Sequence, residues 1–197
     1  MNFLAHLTLS NNDDDILIGN FIADSTRSAE YHKFKPQIVY GIKLHHKIDA
    51  FTDAHAVVEK SKERLRPRHG KYAGVIIDIF YDHYLAKHYD HYGEYPLNDF
   101  AQRCYTLFER RFSELTKGTQ RMLPFMKQGN WLVNYGSEEG MRKVFNGMSR
   151  RASFDNNMAS AVDDLLKFYT DFKSEFEEFY PQLEAYIAQE IRELPYP

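Results

Sequence analysis

The sequence predicts an all-α fold, a single helical domain spanning residues 1–197. Three observations carry that prediction. Apolar residues recur at helical spacing, most clearly Val75, Ile76, Ile79, Phe80 and Tyr84. No window shows sustained alternation with Val, Ile and Thr enrichment, which strands would need. No internal repeat or Pro/Gly/Ser-rich linker interrupts the chain, whose length suits one domain.

The elements follow in order. Met1 to Leu9 is apolar, but it lacks the length, basic start and small-residue cleavage site of a secretory signal. Pro36 opens a helix to about Phe51, because its fixed φ and missing N–H suit a first turn. Thr52 or Asp53 reads as the N-cap of a second helix ending before Pro67. Lys71 to about Tyr89 forms the most apolar segment. Asn98 caps a helix through about Leu115, and Gly118 opens a shorter one that contains Pro124. A helix from Ser137 to about Arg151 follows, then a long aromatic and acidic stretch broken at Pro181. Phe168, Phe172, Phe176 and Phe179 in that stretch repeat at the spacing of a buried face.

Composition excludes several classes. With 43% apolar and 15% aromatic residues, the chain has the material for a core and is not a disordered type. No apolar run approaches the length of a membrane span. The lone Cys104 excludes an internal disulfide or a Cys-rich zinc site, and a cytoplasmic protein is expected. The net charge of -3 conceals an asymmetry: from Asp155 onward there are ten acids and three bases. By contrast Lys60, Lys62, Arg64, Arg66, Arg68 and Lys71 face only Glu63. That cluster is either a solvated helix face or a docking patch for an acidic partner. An overall acidic chain argues against general nucleic-acid binding.

Polar residues stand where a core is expected. His45 and Asp49 are four apart and share a helix face, as do Asp78 and Asp82, with His83 adjacent. A carboxylate among Ile76, Ile77, Ile79 and Phe80 is costly to bury unless it is paired, hydrogen-bonded or metal-bound. Two helices bearing such pairs can converge on a divalent ion, and imidazole with carboxylate favours Mn, Fe, Zn or Mg. Asn2 and His6 are four apart near the start, and Asp24 follows Phe21-Ile22-Ala23 as either a helix cap or a further ligand. Arg150 and Arg151 suit either a helix C-terminus or a phosphate.

These residues carry a resemblance. Met1-Asn-Phe-Leu-Ala-His-Leu7, Gly19-Asn20 with Ala23-Asp24, and Gly41-Ile42 leading to His45 and Ile48-Asp49 resemble the bacterial acyl carrier protein phosphodiesterases. So do Thr52-Asp53, Asp78 with Asp82-His83 and His88, Trp131-Leu132-Val133, and Asn146-Gly147-Met148 with Arg150-Arg151. The blocks run in order over residues 1–151, the catalytic-motif region, and fade in the acidic residues 152–197, expected to form helices packed on it.

The resemblance implies a helical, metal-dependent enzyme of lipid metabolism, remotely related to the HD-domain phosphohydrolases. It would use Mn or Mg to remove 4'-phosphopantetheine from holo-acyl carrier protein. This chain contains no His-Asp dipeptide, and Asp82-His83 has the opposite order, so no HD ligand set transfers directly. The expected ligand pool is His6, Asp24, His45, Asp49, Asp78 and Asp82. His83 is the expected acid/base or an additional ligand, with Asp53 a further member unless it caps a helix. Arg150 and Arg151 would hold the phosphate, and the Lys60–Lys71 cluster would receive the acidic carrier protein. The alternatives are a metal phosphohydrolase acting on a nucleotide or other small diester, and a non-enzymatic helical interaction module whose His/Asp pairs are hydrogen-bonded.

Overall fold

In the computed structural model, which describes residues 1–154 and 156–193, helices account for all the regular structure, and no strand occurs among the described residues. Asn2 caps the short α1 (Phe3–Thr8), and Asp13 caps α2 (Asp14–Ile22) by accepting from the Asp15 and Ile16 N–H groups. Pro36 begins α3 (Pro36–Ala54), followed by α4 (Ala56–His69) and α5 (Ala73–Lys87). A one-turn α6 (Tyr89–Tyr92) leads to α7 (Leu97–Arg110), α8 (Lys117–Gln128) and the short α9 (Trp131–Asn134). The chain closes with α10 (Glu138–Arg151), α11 (Ala161–Lys167) and α12 (Tyr169–Arg192).

Helix α5 is the axis of the core. Ile76, Ile77, Ile79, Phe80, Tyr81, Tyr84 and Leu85 are all buried, so it is apolar around most of its circumference, as a central helix should be. Helix α12 packs on α3, α4 and α5 through Phe172, Phe176 and Phe179, which are buried as their spacing predicts. Among the described residues, no helix is long and apolar enough to cross a membrane.

The closest helix crossing joins α2 to α3. A Cβ built on Gly19 would lie 2.2 Å from the Ile38 carbonyl oxygen, and one on Gly41 would lie 2.4 Å from that of Ile16. Only glycine lets the two backbones approach this far. Their contact brings Asn20 beside His45.

Several boundaries differ from the sequence reading. Helix α3 runs on to Ala54, so neither Thr52 nor Asp53 is a cap; the His55 Nδ1 accepts from the Val57 N–H and caps α4 instead. Helix α7 starts at Leu97, before Asn98, and Thr116 caps α8 ahead of Gly118. Neither Pro67 nor Pro181 breaks its helix. Both prolines lie on solvent-facing positions, and Glu63 and Glu177, whose carbonyls lose their usual partners, are exposed, so water can replace those bonds.

Candidate metal centre

His6, His45 and Asp49 converge where α1 meets α3, with ligand atoms within 4.8 Å of one another. The two imidazoles stack, ring centroids 3.9 Å apart. His6 Nε2 lies 3.1 Å from one Asp49 oxygen and His45 Nε2 lies 3.2 Å from the other. Asp24 Oδ1 is 3.1 Å from the same His45 nitrogen. Asp78 stands across from them, 2.9 Å from the Met1 ammonium, which is 4.0 Å from Asp49.

Hydrogen bonding determines which ring nitrogens carry protons. The Ser10 hydroxyl donates to the His6 carbonyl, so its oxygen is free to accept from Asn20 Nδ2, at 2.8 Å. That turns Asn20 Oδ1 toward His6 Nδ1, which must therefore carry the hydrogen. His45 Nδ1 likewise donates, to the Asn20 carbonyl 3.1 Å away. One asparagine thus directs both Nε2 atoms toward Asp49, an orienting role typical of residues just outside a metal's ligand shell. A neutral His6 then sets its Nε2 lone pair against a carboxylate oxygen and the Met1 carbonyl, 3.2 Å away. Acceptors turned on one another in this way favour a cation between them, a proton or a metal ion.

The electrostatics agree with that reading. Burial lowers the His6 pKa to about 4, so its imidazole is neutral. At His45 burial acts downward too, but hydrogen bonds to Asp24 and Asp49 outweigh it and raise the pKa to about 9. Burial opposes ionisation of Asp49, yet the hydrogen bond from His45 holds its carboxyl far below the ordinary range. The His45 bond also lowers Asp24. Asp78 is raised by burial, against the pull of the ammonium. The donor set, two imidazoles with several carboxylates and no thiol, fits a hard to borderline divalent ion such as Mn or Mg better than a thiolate metal.

The expected residues do not all meet. Asp82 is fully buried, and its oxygens accept from the Asn2, Leu4 and Ala5 N–H groups at 3.2, 2.8 and 3.3 Å, holding the start of α1. Burial pushes its carboxyl up to about 7. His83 is turned away: Nδ1 lies 2.7 Å from the Tyr135 carbonyl and Nε2 3.2 Å from the Tyr169 hydroxyl. Asp53 lines the cavity described below and pairs with Lys62 at 2.7 Å.

The cluster forms one end of a cavity of about 840 Å³. Its other walls come from α8, α9 and α10, with Met122, Trp131, Val144 and Met148 supplying apolar surface. Arg121, Lys143 and Arg151 add positive charge, while Arg150 is not part of the lining. Sequence reasoning named Asn20 only within the Gly19-Asn20 block of the resemblance, without a role, and did not single out Arg121. The available signal for Asn20 was an uncharged amide set between Ile18 and Phe21 in an apolar helix.

The basic cluster on α4 is matched by carboxylates of the same chain. Arg64 makes two hydrogen bonds to Glu175, at 2.7 and 2.9 Å, and Lys60 joins them at 3.3 Å. Arg66 pairs with Glu59, and Arg68 lies 3.0 Å from Asp164. Lys71 lies 3.4 Å from the centroid of the Phe154 ring.

Comparison with known proteins gives a consistent result. Residues 1–183 match the family described as acyl carrier protein phosphodiesterase. A protein of that name from Escherichia coli is 31% identical over 187 residues, covering 93% of this chain and 95% of its own. One from Photorhabdus laumondii is 29% identical, covering 93% of each chain. One from Shigella boydii is 31% identical, covering 94% of this chain and 96% of its own. No solved structure matches.

Proposed function

Since the chain belongs to the acyl carrier protein phosphodiesterase family, we propose that it is a hydrolase that frees 4'-phosphopantetheine from holo-acyl carrier protein, with a divalent ion, Mn or Mg, held by His6, His45 and Asp49. The observation that carries the proposal is the pair of Nε2 atoms which Asn20 directs at a single carboxylate. The likeness to HD-domain phosphohydrolases rests, in this proposal, on that helical His/Asp cluster. A bound divalent ion would lower the pKa of a water molecule and polarise a phosphoryl oxygen.

The remaining chemistry belongs to the side chains. Asp24, ionised and 76% exposed on the cavity side of His45, completes the ligand set or orients the attacking water. Water adds its oxygen to phosphorus, and the bond from phosphorus to the carrier serine oxygen breaks. That oxygen needs a proton, and Asp78, on the cavity wall with its carboxyl raised by burial, is placed to relay one from water. Arg151 supplies positive charge for the phosphoryl oxygens. Met122, Trp131, Val144 and Met148 offer an apolar wall to the pantetheine arm, which stays attached to the phosphate. His83 and Asp82 act as positioning residues, the first through Tyr135 and the second through α1.

Intact-mass analysis of holo-acyl carrier protein incubated with this protein tests the reading. The expected result is loss of one phosphopantetheine with Mn²⁺, none with EDTA, and none with the His45→Ala variant. An unchanged carrier in the presence of Mn²⁺ and wild-type protein overturns it.

A further inference from the structure

The cavity mouth carries a feature that hydrolysis alone does not require. Lys117, Arg121 and Phe125 are four residues apart in succession and so form one stripe along α8. All three are exposed, Phe125 to 66%. Helix α8 contains no carboxylate, and among the described residues no carboxylate pairs with Lys117 or Arg121; the Arg121 Nε–H donates only to the Lys117 carbonyl. Their neighbours differ: Lys127 pairs with Glu109, and Lys143 with Glu139.

The stripe starts beside the metal centre. Ser25 adjoins Asp24, and its hydroxyl bonds to Thr116, the cap of α8. A Cβ on Gly118 would lie 3.3 Å from the Ser25 Cβ, so the first turn of α8 rests on this residue. From there the stripe runs along the lip of the cavity, which Arg121 and Phe125 both line.

We propose that this face of α8 is the docking surface for a small acidic protein that presents a phosphodiester to the metal centre. The proposal rests on the phosphodiesterase reading and identifies where the carrier sits. A phosphodiester has two substituents. The arm fits a cavity of this size, whereas a folded protein does not enter it and must rest on the rim. The rim offers two uncommitted cations and an exposed aromatic ring, the residue types that anchor such contacts. On α4 the cations are already satisfied by Glu175, Glu59, Asp164 and Asp53. The acidic cluster on the cavity floor disfavours a nucleic-acid strand at the same place.

Fluorescence anisotropy with labelled apo-acyl carrier protein measures docking independently of turnover. The Lys117→Glu/Arg121→Glu double variant should raise Kd at least about tenfold at low salt, and the difference should shrink as salt is added. Phe125→Ala should weaken binding at both salt concentrations, and Arg66→Glu on α4 should leave Kd near the wild-type value. An unchanged Kd in the double variant, an equal loss in Arg66→Glu, or no binding by the wild-type protein overturns the proposal. Wild-type protein that binds apo-carrier but releases no phosphopantetheine from holo-carrier overturns the hydrolase reading and supports the docking surface.

Discussion

Asn20 holds two histidines at once, one by its side chain and one by its carbonyl, and the substitutions that separate those contacts are informative. Asn20→Leu keeps the backbone bond to His45 but releases His6. Calorimetric titration with Mn²⁺ should then show affinity reduced about 10- to 100-fold, with the helical circular dichroism retained. His45 links metal to pH. In the metal-free protein it keeps its proton up to about 9, whereas the unfolded chain loses it near 6.5. Folded-state protonation therefore contributes stability below pH 6.5 that is lost as pH rises through about 9. A bound ion must displace that proton, so apparent Mn²⁺ affinity should rise about tenfold per pH unit across the same range, measured by titration at several pH values. Asp82→Ala should behave differently, lowering unfolding free energy by at least about 2 kcal/mol in urea because buried N–H groups of α1 lose their acceptor. The sequence showed that a carboxylate sits in an apolar helix, but not what satisfies it. Three amides and a cation leave the same trace in a sequence, since the amides belong to α1, some eighty residues away.

At the scale of elements, the crossing of α2 and α3 sets the site. Gly41→Ala places a methyl group against the Ile16 backbone, and urea unfolding should show a loss of about 1–3 kcal/mol together with weakened metal binding. Gly74→Ala is the counterpart: in α5 its nearest contact would be the Lys62 Cε at 3.8 Å, so it should stabilise by about 0.5–1 kcal/mol. Helix identity was legible wherever local chemistry decided it. Pro36 does begin α3, and the segment from Ser137 to about Arg151 is α10 (Glu138–Arg151). Boundaries escaped the sequence where the deciding partner was unusual or was water. Histidine is not a standard cap, and the tolerance of Pro67 and Pro181 depends on which helix face meets solvent.

Across the whole molecule, the charge asymmetry of the sequence becomes an internal match. Glu175 and Asp164, from the acidic C-terminal part, meet Arg64, Lys60 and Arg68 of the basic cluster. A count of charges along the chain marks both regions but cannot tell that they face each other, which is why the sequence left the cluster as either a solvated helix face or a surface for a partner. The His6, His45 and Asp49 convergence was legible as a pool of residue types at helical spacing; its selection from that pool needed the fold. Mn²⁺ titration of metal-stripped protein, comparing wild type with His6→Ala, His45→Ala and His83→Ala, tests that selection most directly. The account predicts that the wild type and His83→Ala bind alike, and that either of the other two changes weakens binding by more than about a hundredfold. Wild-type affinity in His6→Ala and His45→Ala would contradict it.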